Sequence, residues 1–84
     1  MRLIFAEEAW EDYLYWQKQD RKMVERINKL VQEIRRDPFS GIGKPEPLKH
    51  ALAGFWSRRI TDEDRVVYKV EGDALLIAQL RYHY

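Results

Sequence analysis

Apolar residues recur along this chain in two rhythms, and the change of rhythm marks its organisation. Up to residue 36 the spacing is three and four. Trp10, Tyr13 and Leu14 line one stripe, and Ile27, Leu30, Val31 and Ile34 line another, as in two amphipathic helices. From residue 55 onward the spacing is two, which is the period of strands. The first helix opens on Glu7, Glu8, Glu11 and Asp12, placed against the positive end of its dipole, after a short strand over residues 2–5. Asp20 is the expected N-cap of the second helix, over roughly residues 21–36. Arg35 and Arg36 suit its C-terminal end, and Asp37-Pro38 stops it. Residues 38–47, PFSGIGKPEP, read as a loop, and 48–52 as a short turn of helix carrying Lys49 and His50. Strands are predicted over 55–60, 65–70 and 75–82, joined by the short turns 61–64 and 71–73 as antiparallel hairpins.

Parity then separates two sheet faces, provided no bulge intervenes. Even positions give Trp56, Ile60, Val66, Tyr68, Val70, Leu76, Ala78 and Leu80, the face expected under the helices. Arg58 interrupts that face and is expected at an edge. Odd positions give Ser57, Arg59, Arg65, Val67, Lys69, Gln79, Arg81 and His83. The second face therefore collects cations and a histidine. The expected fold class is α+β, with two N-terminal helices packed on one face of a small, twisted, antiparallel-rich sheet.

Composition narrows the possibilities. With 84 residues, a single domain over 1–84 is expected. No cysteine is present, so neither a disulfide framework nor a thiolate metal site is available. Three Trp, five Tyr and three Phe supply bulk for the core. The apolar run Ala74–Ala78 is far too short to span a bilayer, and no leader is evident, so a cytoplasmic protein without membrane contact is expected. Net charge is only +1, but its distribution is uneven. The predicted strands after residue 54 hold Arg58, Arg59, Arg65, Lys69 and Arg81 and no acid, while Asp62, Glu63, Asp64, Glu71 and Asp73 lie in the turns. A locally basic sheet suits a polyanion such as RNA, or is simply a solvated face.

The chemistry of the polar face turns on the loop carboxylate beside it. Pro45 and Pro47 flank Glu46, restricting the backbone and biasing Lys44 and Glu46 to extended conformations. RNA cleavage by its own 2′-hydroxyl requires a base, an acid for the leaving 5′-oxygen, and fixed cations where charge builds on the phosphoryl oxygens. Glu46 can serve as the base, His83 as the acid and Arg65 as the cation at the developing phosphorane. Lys49 and Arg59 can hold phosphates, and Tyr84 offers a ring for a base and a hydroxyl for a phosphate. The nucleophile belongs to the substrate, so no metal and no cofactor is expected. Two histidines without Cys or an HExxH pattern make a poor metal site, and His50 is taken as structural or peripheral. The Gly41-Ile42-Gly43 pair is no dinucleotide fingerprint. A non-catalytic RNA- or ribosome-binding module would use the same basic sheet. The presence of both a base and an acid favours the nuclease over that module, and over a relative acting on DNA gyrase.

Five segments carry a resemblance across essentially the whole chain: LIF with EEAWEDYLYWQ near the start, GKPEPLKH at 43–50, GFWSRRI at 54–60, RVVY at 65–68 and the terminal RYHY. In these the chain resembles the YoeB toxins, a branch of the RelE-like bacterial mRNA-cleaving toxins. The resemblance implies the RelE/YoeB-like fold and a metal-independent endoribonuclease that cuts mRNA in the A site of the 70S ribosome, inhibiting translation. It also implies a YefM-like antitoxin that wraps the toxin, and a homodimer that forms a heterotrimer or larger complex with it. Residue by residue, it places the base at Glu46, the transition-state arginine at Arg65, the general acid at His83 and the terminal tyrosine at Tyr84. Lys49 and Arg59 match phosphate-binding positions, and Arg81, within the matched terminus, is grouped with them. Ala6 stands where a helix-capping serine is expected.

Overall fold

The structure is a computed structural model and describes residues 1–83. Strand β1 (Arg2–Phe5) leads into helices α1 (Glu7–Gln19) and α2 (Arg21–Arg36). The two-residue strand β2 (Glu46–Pro47), a 3-10 turn (His50–Leu52) and strands β3 (Trp56–Arg59), β4 (Arg65–Glu71) and β5 (Ala74–Gln79) follow. The sheet order is β1-β5-β4-β3-β2. Strand β1 pairs in parallel with β5, from Arg2 opposite Ala74 to Phe5 opposite Ile77, and the other neighbours are antiparallel. The expected two helices on an antiparallel-rich sheet are present. Asp20 caps α2 as its sequence position predicts, accepting a 3.0 Å hydrogen bond from the Lys22 amide. Helix α1 starts from Ala6 without any side-chain cap.

Met23, Ile27, Leu30, Val31 and Ile34 of α2 are buried against Ile60, Val66, Tyr68, Leu75, Ile77 and Leu80 of the β3–β5 region. Two sequence expectations about the apolar faces fail. The α1 stripe is not buried as a unit. Trp10 and Leu14 are 49% and 45% exposed, and the core contacts of this helix are Ala9, with half-buried Tyr13 and Trp16. Small Ala9 lets the helix axis approach the sheet, so the larger side chains ride at its margin. Trp10 instead stands edge-on to Phe5, ring centres 6.0 Å apart. The parity of β5 is also reversed along most of its length. Tyr68 faces Ile77, yet Val67 faces Gln79, so Ala78 is an extra residue on β5. This β-bulge puts Leu75 and Ile77 in the core and turns Leu76 to the face of Lys69. The bulge restores the expected parity only at Gln79 and Leu80.

Arg58 is not at an edge. Strand β3 lies between β2 and β4, and the Arg58 side chain is fully buried among the helices and the loop after α2. Its Nε donates to the Tyr68 hydroxyl (3.1 Å), Nη1 to the Ile42 carbonyl (3.1 Å), and Nη2 to the carbonyls of Asp37 and Ser40. The Tyr68 hydroxyl in turn donates to the Pro38 carbonyl at 2.6 Å. Burial pushes the Tyr68 phenol up, and the hydrogen bond from Arg58 works against that rise. A loop with no regular backbone pairing thus has its carbonyls satisfied by one guanidinium and one phenol. Gly43 completes the fit. Its φ of +83° is left-handed, and a Cβ there would come within 3.0 Å of Leu30 and 3.1 Å of Arg58. Lys44, expected to be extended, has φ +54°. The Gly43 carbonyl accepts from the Arg59 amide at 2.7 Å, and the chain must reverse within one residue of that bond to enter β2.

At the start of the same loop the Ser40 hydroxyl (2.6 Å) and Phe39 amide (3.1 Å) donate to the Asp37 carboxylate. These bonds, the one from Ser40 foremost, hold its pKa below the usual carboxylate value. A lowered folded pKa stabilises the protein above the ordinary carboxylate range, and that contribution is lost as pH falls through the lowered value. Ser40→Ala is expected to move the Asp37 titration upward, read from its carboxyl carbon by NMR; an unmoved titration would remove Ser40 as the cause. Arg58→Met is expected to lower unfolding stability by about 3 kcal/mol or more in urea titrations, because several buried carbonyls lose their donor. A loss near that of an ordinary surface change would show that the loop is held by something else.

Candidate active site

The loop delivers Glu46 to the edge of the sheet. Strand β2 is only two residues long, with Glu46 opposite Ser57 and Pro47 opposite Trp56. An edge strand tolerates Pro47 because its missing N–H can face outward. The Leu48 amide then donates to the Phe55 carbonyl at 2.9 Å, closing the segment behind Glu46. The Glu46 side chain is exposed and in no ion pair with a described residue. It lines a shallow depression of about 350 Å³ with Pro47, Leu48, Lys49, His50 and Leu52. His50, read from the sequence as peripheral, therefore stands beside Glu46 and Lys49, with a left-handed φ of +57°.

Cross-strand pairing carries the same face inward. Glu46 is opposite Ser57, Ser57 opposite Val67, and Val67 opposite Gln79, so these four form one row across β2–β5. Directly opposed residues share a face, so the row lies on the side away from the helices. Arg59 and Arg65 face each other one step along, on that same side. From Glu46, Arg65 lies two strands away, about 10 Å across the sheet. Arg59 is exposed, whereas Arg65 is 7% exposed. The Arg65 Nη1 donates to the carbonyls of Thr61 (2.7 Å), Asp62 (3.0 Å) and Asp64 (3.1 Å), which fixes the guanidinium at the β3–β4 turn.

The chain leaves the sheet after Gln79, short of the predicted end at residue 82. Tyr82 returns to the site: its amide donates to Asp64 Oδ1 (2.7 Å), and its carbonyl accepts from the Arg65 amide (3.0 Å). Exposed His83 follows immediately. The structure thus brings Glu46, Arg59, Arg65 and the His83 backbone to one side of the sheet, with Lys49 beside Glu46. Arg81 lies apart from them. Its guanidinium carbon is 3.5 Å from the centre of the Tyr15 ring on α1 and 4.5 Å from that of Tyr82. Tyr84 lies outside the described residues.

Parity placed Ser57 on this face, but sequence reading missed the strand pairing that sets Glu46 opposite it, and missed Asp12, Tyr15, Trp16 and Asp64 as contacts of the terminal segment. Nothing in a helical stripe announces a partner more than sixty positions away. Among the described residues no group of three or more His, Cys, Asp or Glu is arranged to hold a metal ion, and no helix is long and apolar enough to cross a membrane. An exposed carboxylate and a fixed guanidinium on one face of the sheet, with a histidine next in the chain after Tyr82, are groups able to transfer protons and stabilise charge around a phosphodiester.

Comparison with known proteins places this arrangement. Residues 5–84 match the profile of the YoeB-like toxin of bacterial type II toxin-antitoxin systems. Toxin YoeB of Escherichia coli K12 is 63% identical over 84 residues, spanning the whole of both chains. The solved YoeB/ParE toxin from Agrobacterium tumefaciens superposes with a TM-score of 0.97 at 51% identity, each chain covered in full. In a YoeB-YefM complex from Staphylococcus aureus, the matching chain has a TM-score of 0.91 at 46% identity, over 100% of this chain and 98% of that one. A YoeB dimer from the same organism gives 0.93 at 47%, with the same coverage. With its fold, its full length and its sequence all matched, the chain belongs to the YoeB-like toxins of bacterial type II toxin-antitoxin systems.

Proposed function

We propose that the chain, acting as one toxin domain over residues 1–84, is a ribosome-dependent endoribonuclease that cuts mRNA in the A site and so inhibits translation. The observation that carries this reading is the Arg65 amide bonded to the Tyr82 carbonyl, on the sheet face that Glu46 and Arg59 share. It brings the only segment bearing His83 alongside the buried arginine. Glu46 removes the proton of the 2′-hydroxyl, and the freed oxygen attacks the adjacent phosphorus. His83, as imidazolium, protonates the departing 5′-oxygen, leaving a 2′,3′-cyclic phosphate and a 5′-hydroxyl. Arg65 is already oriented by the turn carbonyls, so stabilising the phosphorane requires little reorganisation. Lys49 and Arg59, both exposed, hold flanking phosphates, and Tyr84 stacks on a base or meets a phosphate.

The nucleophile comes from the substrate, so the scheme needs neither a metal nor another cofactor. The solved YoeB-YefM complex and YoeB dimer support a YefM-like antitoxin as partner and a homodimer, assembled with the antitoxin as a heterotrimer or a larger complex. The site of action is the cytoplasm, where mRNA is translated.

The test is to map mRNA ends made by the purified protein with and without ribosomes. Glu46→Gln and His83→Gln are expected to slow cutting by about 10²- to 10⁴-fold each while ribosome association stays close to normal. Equal cutting by all versions would leave only a binding module and a contaminating nuclease. Protein treated with EDTA and desalted before it meets intact ribosomes is expected to cut at the untreated rate. A loss restored by adding a divalent metal to the protein would contradict the internal-nucleophile scheme.

A further inference from the structure

Residues that follow a last strand ordinarily fray. Residues 80–82 of this chain do not, because each is held by a different part of the fold. The Leu80 amide donates to Asp12 Oδ2 at 3.0 Å, and the Leu80 carbonyl accepts from the Trp16 indole at 2.8 Å. The Arg81 carbonyl accepts from the Gln79 side-chain amide at 2.9 Å, and its guanidinium packs between the Tyr15 and Tyr82 rings. Tyr82 is bonded through its amide to Asp64 and through its carbonyl to the Arg65 amide. Between those two bonds its φ is +66°, a left-handed value that is costly for an aromatic residue. Bonds on either side over-determine it.

We propose that Asp12, Tyr15 and Trp16 of α1, together with Arg81 and Asp64, form a seat that positions His83. The inference rests on the reading of His83 as the general acid. His83 is the next residue after the left-handed turn, so any change in the Tyr82 backbone swings its Cα directly. The seat ties that turn to Asp64 and to the backbone of Arg65, whose own guanidinium stands at the reacting phosphate. Proton donation depends on angle and on tenths of an ångström, and a terminus free to fray would not hold them. Arg81 fits this role better than that of a phosphate ligand, because its guanidinium is held against two rings, 3.5 Å from the centre of Tyr15 and 4.5 Å from that of Tyr82. Helix α1 therefore acts on the site from the opposite side of the sheet, through the chain terminus, without touching substrate.

Tyr15 is the residue to test, because its ring alone is required. In the full-length protein, Tyr15→Leu is expected to lower the cleavage rate at saturating ribosome-mRNA complex by about tenfold to a hundredfold, with half-saturation unchanged. It is also expected to speed exchange of the Tyr82 amide and to shift the His83 imidazole resonances. Tyr15→Phe keeps the stack and is expected to match the unmodified protein in all of these. Arg81→Gln should reproduce the Tyr15→Leu loss, and the double variant should be no worse than the poorer single one, as for two parts of one unit. On the other side of the seat, Asp64→Ala should give the same pattern and Asp64→Asn, which keeps the acceptor oxygen, should restore it. These two variants decide the matter if Tyr15→Leu melts early. Unimpaired cutting by Tyr15→Leu and Asp64→Ala overturns the proposal. So does a Tyr15→Leu loss confined to half-saturation, which would make the stack a substrate contact. If the unmodified protein cuts nothing, the nuclease reading fails on its own, and Tyr82 exchange unaltered by Tyr15→Leu would still refute the seat.

Discussion

A single buried guanidinium sets the shape of the region that carries Glu46. Arg58 lies on the helix-facing side of the sheet, where the alternation of β3 calls for an apolar residue; its Nε donates to Tyr68 and its two Nη atoms reach into a loop with no ladder of its own. Taking a charge into the interior is unfavourable, and carbonyls left without donors would be too. Each problem resolves the other. The loop that results is compact enough for Gly43 to lie against Leu30, and it ends by docking its Gly43 carbonyl on the Arg59 amide. One residue pair, Arg58 and Arg59, therefore serves both faces of the sheet. The first fixes the loop from behind, and the second stands beside the carboxylate that the loop presents.

The other half of the site is fixed by different means. The β3–β4 turn wraps its carbonyls around one nitrogen of Arg65, and the same turn supplies Asp64 to the Tyr82 amide. His83, Glu46 and Arg65 come from three stretches of chain with no local relationship. They are brought to one side by a sheet whose register leaves little freedom. The β5 bulge at Ala78 resets the strand's alternation just before the chain leaves the sheet for its terminal segment.

Much of this was legible in the sequence. The second helix, its Asp20 cap and the hairpin order follow from period and turn residues, because those signals are local. The placement of Arg59 and Arg65 on one face follows from alternation, which survives on β3 and β4, whereas Glu46 was read as a loop residue and its pairing with Ser57 was not foreseen. The reading of β5 failed because one extra residue, Ala78, inverts every assignment before it, and alanine carries no mark of a bulge. Arg58 was misplaced at an edge, although a charge in step with core residues more often signals a buried network of partners. Trp10 and Leu14 looked buried because periodicity reports a stripe without reporting its depth. The contacts of residues 80–82 with α1 were invisible. They join positions more than sixty apart, and Asp12 already had a sufficient explanation at the start of its helix.

The parallel pairing of β1 with β5 has a consequence for biosynthesis. Synthesis proceeds from the N-terminus, so both helices can exist while their apolar faces still lack the strand at the centre of the core. Arg2–Phe5 must wait for Ala74–Ile77, the most distant partner in the sheet. A half-made copy of this protein is therefore only a pair of sticky helices. The face that carries Glu46 and Arg65 is complete only when Ala74–Ile77 is available to close the sheet against Arg2–Phe5.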